Sequence, residues 1–67
     1  MLISYKPLWK KLIDMDINKT QLRSITGVSS STISKLTKNE IVSLEVLVRI
    51  CGELDCQLSD VCELTKD

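Results

Sequence analysis

Apolar positions along this chain recur every three to four residues in short blocks, and a polar residue suited to capping precedes each block. Ile3 and Leu8 flank Ser4 with the spacing of a hydrophobic staple, and Trp9, Leu12 and Ile13 follow at helical spacing. Ser4 is the expected N-cap, which puts Pro7 in a first turn where its missing N–H costs nothing. A first helix is predicted from about Tyr5 to Met15. Asn18 followed three residues later by Gln21 fits a capping box, so a second helix is predicted over 19–26, with Leu22 and Ile25 inward and Gly27 as its left-handed stop.

Ser29 is the cap expected for a third helix over 30–37. At 100° per residue, Ile33 and Leu36 share one side, and Ser30, Ser31, Ser34 and Lys35 share the other. Asn39 can supply the left-handed residue that ends it. Ser43 then caps a fourth helix with Leu44, Leu47, Val48, Cys51 and Leu54 on a broad apolar face, Ile50 at its edge and Val46 outside it. Ser59 caps a short fifth helix with Asp60 in its first turn, and Val61, Cys62 and Leu64 are placed to close the core. No alternating pattern competes, so the fold class is all-α: one domain, residues 1–67, of five short helices.

Composition sharpens this picture. A chain of 67 residues buries only about 60% of its unfolded surface. With Trp9 and Tyr5 the only aromatic residues among 43% hydrophobics, its core has to be aliphatic. That content is too high for a disordered chain. Formal charge is zero but segregated: residues 1–40 carry seven Lys and Arg against three acids, and residues 41–67 carry two against six. Such an asymmetry permits a polyanion-binding end, and is equally compatible with a mixed solvated surface. There is no membrane-spanning stretch and no signal peptide, so a cytoplasmic protein is expected. Cys51, Cys56 and Cys62 match no metal or redox spacing and read as plain thiols. Without histidine, a glycine-rich phosphate loop or a ligand cluster, neither an enzyme nor a cofactor is expected.

The stretch "GVSSSTISKLTKN" needs its own explanation. Serine and threonine are mediocre helix formers because their hydroxyls compete for backbone hydrogen bonds. Ser29 alone meets the capping need, and Ser30, Ser31 and Ser34 are surplus to folding on this reading. Two short helices joined by a tight glycine-containing turn have the organisation of a helix-turn-helix, whose second helix lies in the major groove of DNA. Short hydroxyl side chains there let the backbone approach closely and can give or accept hydrogen bonds, while the free N–H groups of a helix start attract phosphate.

At these residues a family likeness emerges. "NKTQLRSITGVSSSTISKL" resembles the helix-turn-helix of the Cro/C1-type, lambda repressor-like regulators, and "ISYKPLWKKLID", "VSLEVLVRICGELDC" and "LSDVCEL" extend the likeness over nearly the whole chain. The resemblance implies a five-helix domain that binds operator DNA, usually as a homodimer, and represses or activates transcription. It places Lys19 where the family anchors a DNA phosphate, with Thr20 beside it. Ser30, Ser31 and Lys35 fall at positions that reach base edges, with Ser29 and Ser34 adjacent. Thr32, Lys38 and Asn39 fall where further backbone contacts are made. Arg23 departs from the small residue many such motifs place against the recognition helix, though its aliphatic stem can pack there while the guanidinium reaches solvent.

The partners expected are therefore double-stranded DNA and a second copy of the chain, with no membrane and no small-molecule ligand. Val46 and Ile50, with the C-terminal segment, are the expected dimer contact. The rival class is a protein-interaction module of the same fold, such as an antitoxin or antirepressor, for which the acidic second half and Val46 would serve.

Overall fold

The computed structural model describes residues 1–66. The order is β1 (Leu2–Ser4), α1 (Lys6–Asp14), α2 (Lys19–Thr26), α3 (Ser30–Thr37), α4 (Leu44–Leu54), a single 3-10 turn (Leu58–Asp60) and β2 (Glu63–Thr65). Four of the five expected helices are present, and the caps predicted at Asn18, Gly27, Ser29 and Ser43 are in place. No helix among the described residues is long and apolar enough to cross a membrane.

The fifth helix is not a helix. Leu58–Asp60 makes one 3-10 turn entered at Gln57, whose N–H is accepted by the Asp60 carboxylate at 2.9 Å. Ser59 lies inside that turn and does not cap it. The residues after it extend and pair antiparallel with the N-terminus, Leu2 opposite Thr65, Ile3 opposite Leu64 and Ser4 opposite Glu63. Three-residue strands are too short to display alternation, and their pairing is set by the opposite end of the chain. Val61 still closes the core, but Leu64 is exposed. At the first helix, Tyr5 and not Ser4 takes the N-cap position, because Ser4 belongs to β1. The Ser4 hydroxyl still accepts the Lys6 N–H at 3.3 Å.

The core is Tyr5, Leu8 and Leu12 from the N-terminal part, Leu22, Leu36, then Leu47, Ile50 and Leu54 from α4, and Val61. Two helices present a different face from the one expected. In α2, Leu22 and Thr26 are buried while Ile25 is exposed. In α4 the buried line is Leu47, Ile50 and Leu54, whereas Leu44 and Val48 face solvent at 62% and 61% exposure. The apolar arc of α4 is so wide that periodicity cannot choose its centre; contact with α2 and the 3-10 turn does. Ile50 is fully buried and Val46 packs against the core, so the expected dimer contact at Ile50 is lost.

Tyr5 ties the chain ends to the middle. Its N–H is accepted by Asn39 Oδ1 at 3.1 Å, and its hydroxyl donates to the Glu40 carbonyl at 2.7 Å. Burial raises its phenol above the ordinary tyrosine range, which keeps it a donor at neutral pH. Cys51, Cys56 and Cys62 are half-buried free thiols packed against the core. Burial also raises the Cys51 and Cys62 thiols, so both are protonated and weakly nucleophilic near pH 7.

Candidate nucleic-acid interface

The unit that presents α3 is built from local signals. Asn18 Oδ1 accepts the Gln21 N–H at 2.8 Å and Gln21 Oε1 accepts the Asn18 N–H at 2.9 Å, which starts α2 with Lys19 in its first turn. Gly27 ends α2 at φ 74°, and its N–H donates to the Arg23 carbonyl at 2.8 Å. A Cβ there would meet nothing within 4 Å, so the dihedral and not space demands glycine. Thr26 staples the turn, donating to the Leu22 carbonyl at 2.8 Å and accepting the Val28 N–H at 3.4 Å. Val28 is buried directly after it, fixing the direction in which the chain enters α3.

Ser29 Oγ accepts the Thr32 N–H at 3.2 Å and caps α3. Its Oγ also lies 2.9 Å from Ser31 Oγ and 3.0 Å from Thr32 Oγ1, so three hydroxyls form one network. Ser31 is thus not wholly surplus to folding. Leu36 is buried and Ile33 half-buried, which turns Ser30, Ser31, Ser34 and Lys35 together to solvent on the opposite side. Ser29→Ala leaves the Thr32 N–H without its acceptor and should lower stability by about 1 kcal/mol. Urea denaturation with an unchanged midpoint would contradict this capping role.

Lys19, Thr20 and Arg23 of α2 line a shallow crevice of about 110 Å³ with Ser30 and Ile33 of α3. Arg23, exposed to solvent, thus lies beside α3 at this crevice. Lys19 Nζ donates to Thr37 Oγ1 at 3.1 Å and lies 4.5 Å from the centre of the Trp9 ring. Thr37 in turn donates to the Ile33 carbonyl at 3.0 Å. Lys38, also exposed, is the C-cap of α3. Asn39 follows in the left-handed region at φ 57°, with its Oδ1 committed to Tyr5.

The fold thus gathers Lys19, Thr20, Ser29, Ser30, Ser31, Ser34 and Lys35 around α3, with Thr32 half-buried in the cap network. Trp9 and Thr37 join them, two residues to which spacing along the chain assigns no place at the site, and Arg23 lies beside α3 at the crevice. Trp9 and Thr37 are brought to Lys19 by tertiary packing, for which residue spacing carries no signal. Chemically the surface offers ammonium and guanidinium groups, hydroxyl donors and acceptors, and the start of a helix. It is equipped to bind an anion and read hydrogen-bonding edges.

Residues 7–67 match the family model described as the Cro/C1-type HTH DNA-binding domain. The fold is similar to that of the solved crystal structure of transcriptional regulator VanUg (Form II), with 50% sequence identity and a TM-score of 0.95 over 98% of this chain and 88% of that one. No match is found among the curated proteins.

Proposed function

Because the chain belongs to the Cro/C1-type helix-turn-helix DNA-binding domains, we propose that it is a sequence-specific transcriptional regulator, acting as a repressor, that seats α3 in the major groove. The observation that carries this reading is the solvent face of α3, where Ser30, Ser31, Ser34 and Lys35 stand clear of a buried Leu36. In this reading Lys19 meets a phosphate at the start of α2, Ser30, Ser31 and Lys35 meet base edges with Ser34 beside them, and Thr20, Ser29, Thr32, Lys38 and Asn39 lie along the flanking backbone. Phosphate contacts would supply most of the affinity and base contacts the selectivity. The function is binding without catalysis or cofactor, exercised in the cytoplasm.

One eight-residue recognition helix reads few base pairs, so the active species is a homodimer. Ile41 before α4 and Leu44 and Val48 on its first two turns are exposed apolar residues, at 75%, 62% and 61% exposure, and supply the contact with the second copy in place of Ile50. A chain of zero net charge has modest DNA affinity as a monomer, which favours paired binding.

Selection of bound duplexes from a random DNA pool tests both parts. The expected product is a palindrome with half-sites about one helical turn, ~34 Å, apart. Enrichment of single, unpaired half-sites would remove the dimer and leave the DNA reading. A chain that retains no duplex even at low salt would remove the DNA reading and favour a protein-interaction module.

A further inference from the structure

We propose that Trp9 is a positioning residue for DNA binding, holding the Lys19 ammonium in the pose that meets phosphate. The inference rests on the DNA reading of the α3 surface and extends it to α1, a helix otherwise without a part in binding.

The geometry converges from three helices. Lys19 is the first residue of α2, its Nζ sits 4.5 Å from the Trp9 ring centre on α1, and the same Nζ donates at 3.1 Å to Thr37 at the end of α3. Thr37 is itself held by its bond to the Ile33 carbonyl. Trp9 is half-buried and packs against the core, so its ring is a fixed wall and not a mobile flap. An ammonium carries three N–H donors. With one on Thr37 and the ring attracting the cation from its face, a donor is left for a phosphate oxygen approaching the exposed α2–α3 side.

The physical benefit is pre-ordering. A free lysine head samples many rotamers, and a phosphate contact has to freeze them. Trp9 and Thr37 freeze them before DNA arrives. A cation–π contact at an exposed site is worth about a two- to fivefold change in an equilibrium constant. Burial alone does not explain why the ring faces a cation, since any apolar side chain would cover the same core.

The test is a double-mutant cycle on the duplex recovered from the random pool, with parent, Trp9→Leu, Lys19→Ala and the double variant. Trp9→Leu should weaken binding about two- to fivefold per protomer in the parent and have no effect in the Lys19→Ala background. Lys19→Ala should flatten the salt dependence by about one unit, while Trp9→Leu, which removes no charge, should leave the slope unchanged. Trp9→Phe keeps an aromatic face and should recover most of the loss, and thermal melts check that each variant is folded. Trp9 is the single tryptophan of the chain, so its emission should change on DNA binding in the parent and much less in Lys19→Ala. Equal losses from Trp9→Leu in both backgrounds, or no loss in the parent, would overturn the clamp while leaving DNA recognition standing. A parent that binds no duplex would overturn the recognition itself and the clamp with it.

Discussion

Tyr5→Ala should leave the chain unfolded, or nearly so, at 25 °C. Tyr5 is the one fully buried aromatic residue, placed between β1 and α1 and bonded to Asn39 and Glu40 in the loop after α3. Replacing a buried aromatic ring by a methyl group costs about 3–5 kcal/mol through lost transfer energy and the cavity left behind. The Glu40 carbonyl also loses its donor, an added penalty of about 1 kcal/mol or more where water cannot replace it. Against that, a domain this small has a total stability of roughly 3–10 kcal/mol. The sum of the losses is comparable with the whole. Tyr5→Phe keeps the ring and gives up only the hydroxyl bond, so it should fold and melt at a moderately lower temperature. Far-UV circular dichroism in urea separates the two. A Tyr5→Ala protein melting within a few degrees of the parent would show that the ring is not the centre of the core.

The largest expected effect on binding is at Lys35. Its side chain is exposed, and the parts of the residue that hold the fold are backbone: its carbonyl accepts from Lys38 and from Glu40, at 3.1 and 2.9 Å. Lys35→Ala preserves those bonds and installs a better helix former, so the melting temperature should hold or rise slightly. On the selected DNA site the variant should lose about 1–3 kcal/mol, the worth of a base contact, with relaxed selectivity at one base pair. On a scrambled duplex the loss should be smaller. Guanine, with two acceptors in the major groove, is the natural partner of a lysine at this position. Binding titrations of both duplexes decide the matter. If Lys35→Ala binds the selected site like the parent, the exposed face of α3 is ordinary surface and the proposed reading of that helix fails.

What is legible in the amino-acid sequence is whatever is decided locally. The Asn18–Gln21 box, the Gly27 stop, the Ser29 and Ser43 caps and the left-handed Asn39 each depend on a few consecutive residues, and all are present. Since α2, the turn and α3 are made almost wholly of such signals, residue order alone suffices to lay out most of the candidate surface. The misses are the features decided at a distance. β2 exists because the other end of the chain offers Leu2–Ser4, and a short segment rich in cap-like residues reads as helix until that partner is known. The buried face of α4 differs from the expected one because apolar residues cover most of its circumference, leaving tertiary contacts to choose Ile50 over Leu44 and Val48. Trp9 and Lys19 lie ten positions apart on different helices, so their meeting has no signature in one dimension.

The pairing of β1 with β2 bears on how the molecule comes together in time. Thr65 reaches back across 63 positions to the Leu2 carbonyl, and closing a loop of that length yields only a few ladder bonds between strands of three residues each. The helices, by contrast, form from near neighbours, and local contacts become favourable before distant ones do. The sheet is therefore expected to zip last and to open first, with the α2–α3 unit already standing. Amide hydrogens of Ile3 and Leu64 should exchange with solvent well ahead of those of Leu36 and Ile50, and mutations in either strand should speed unfolding while barely slowing folding. Strand amides protected as strongly as the helical core would mean instead that the two ends meet early and guide the rest.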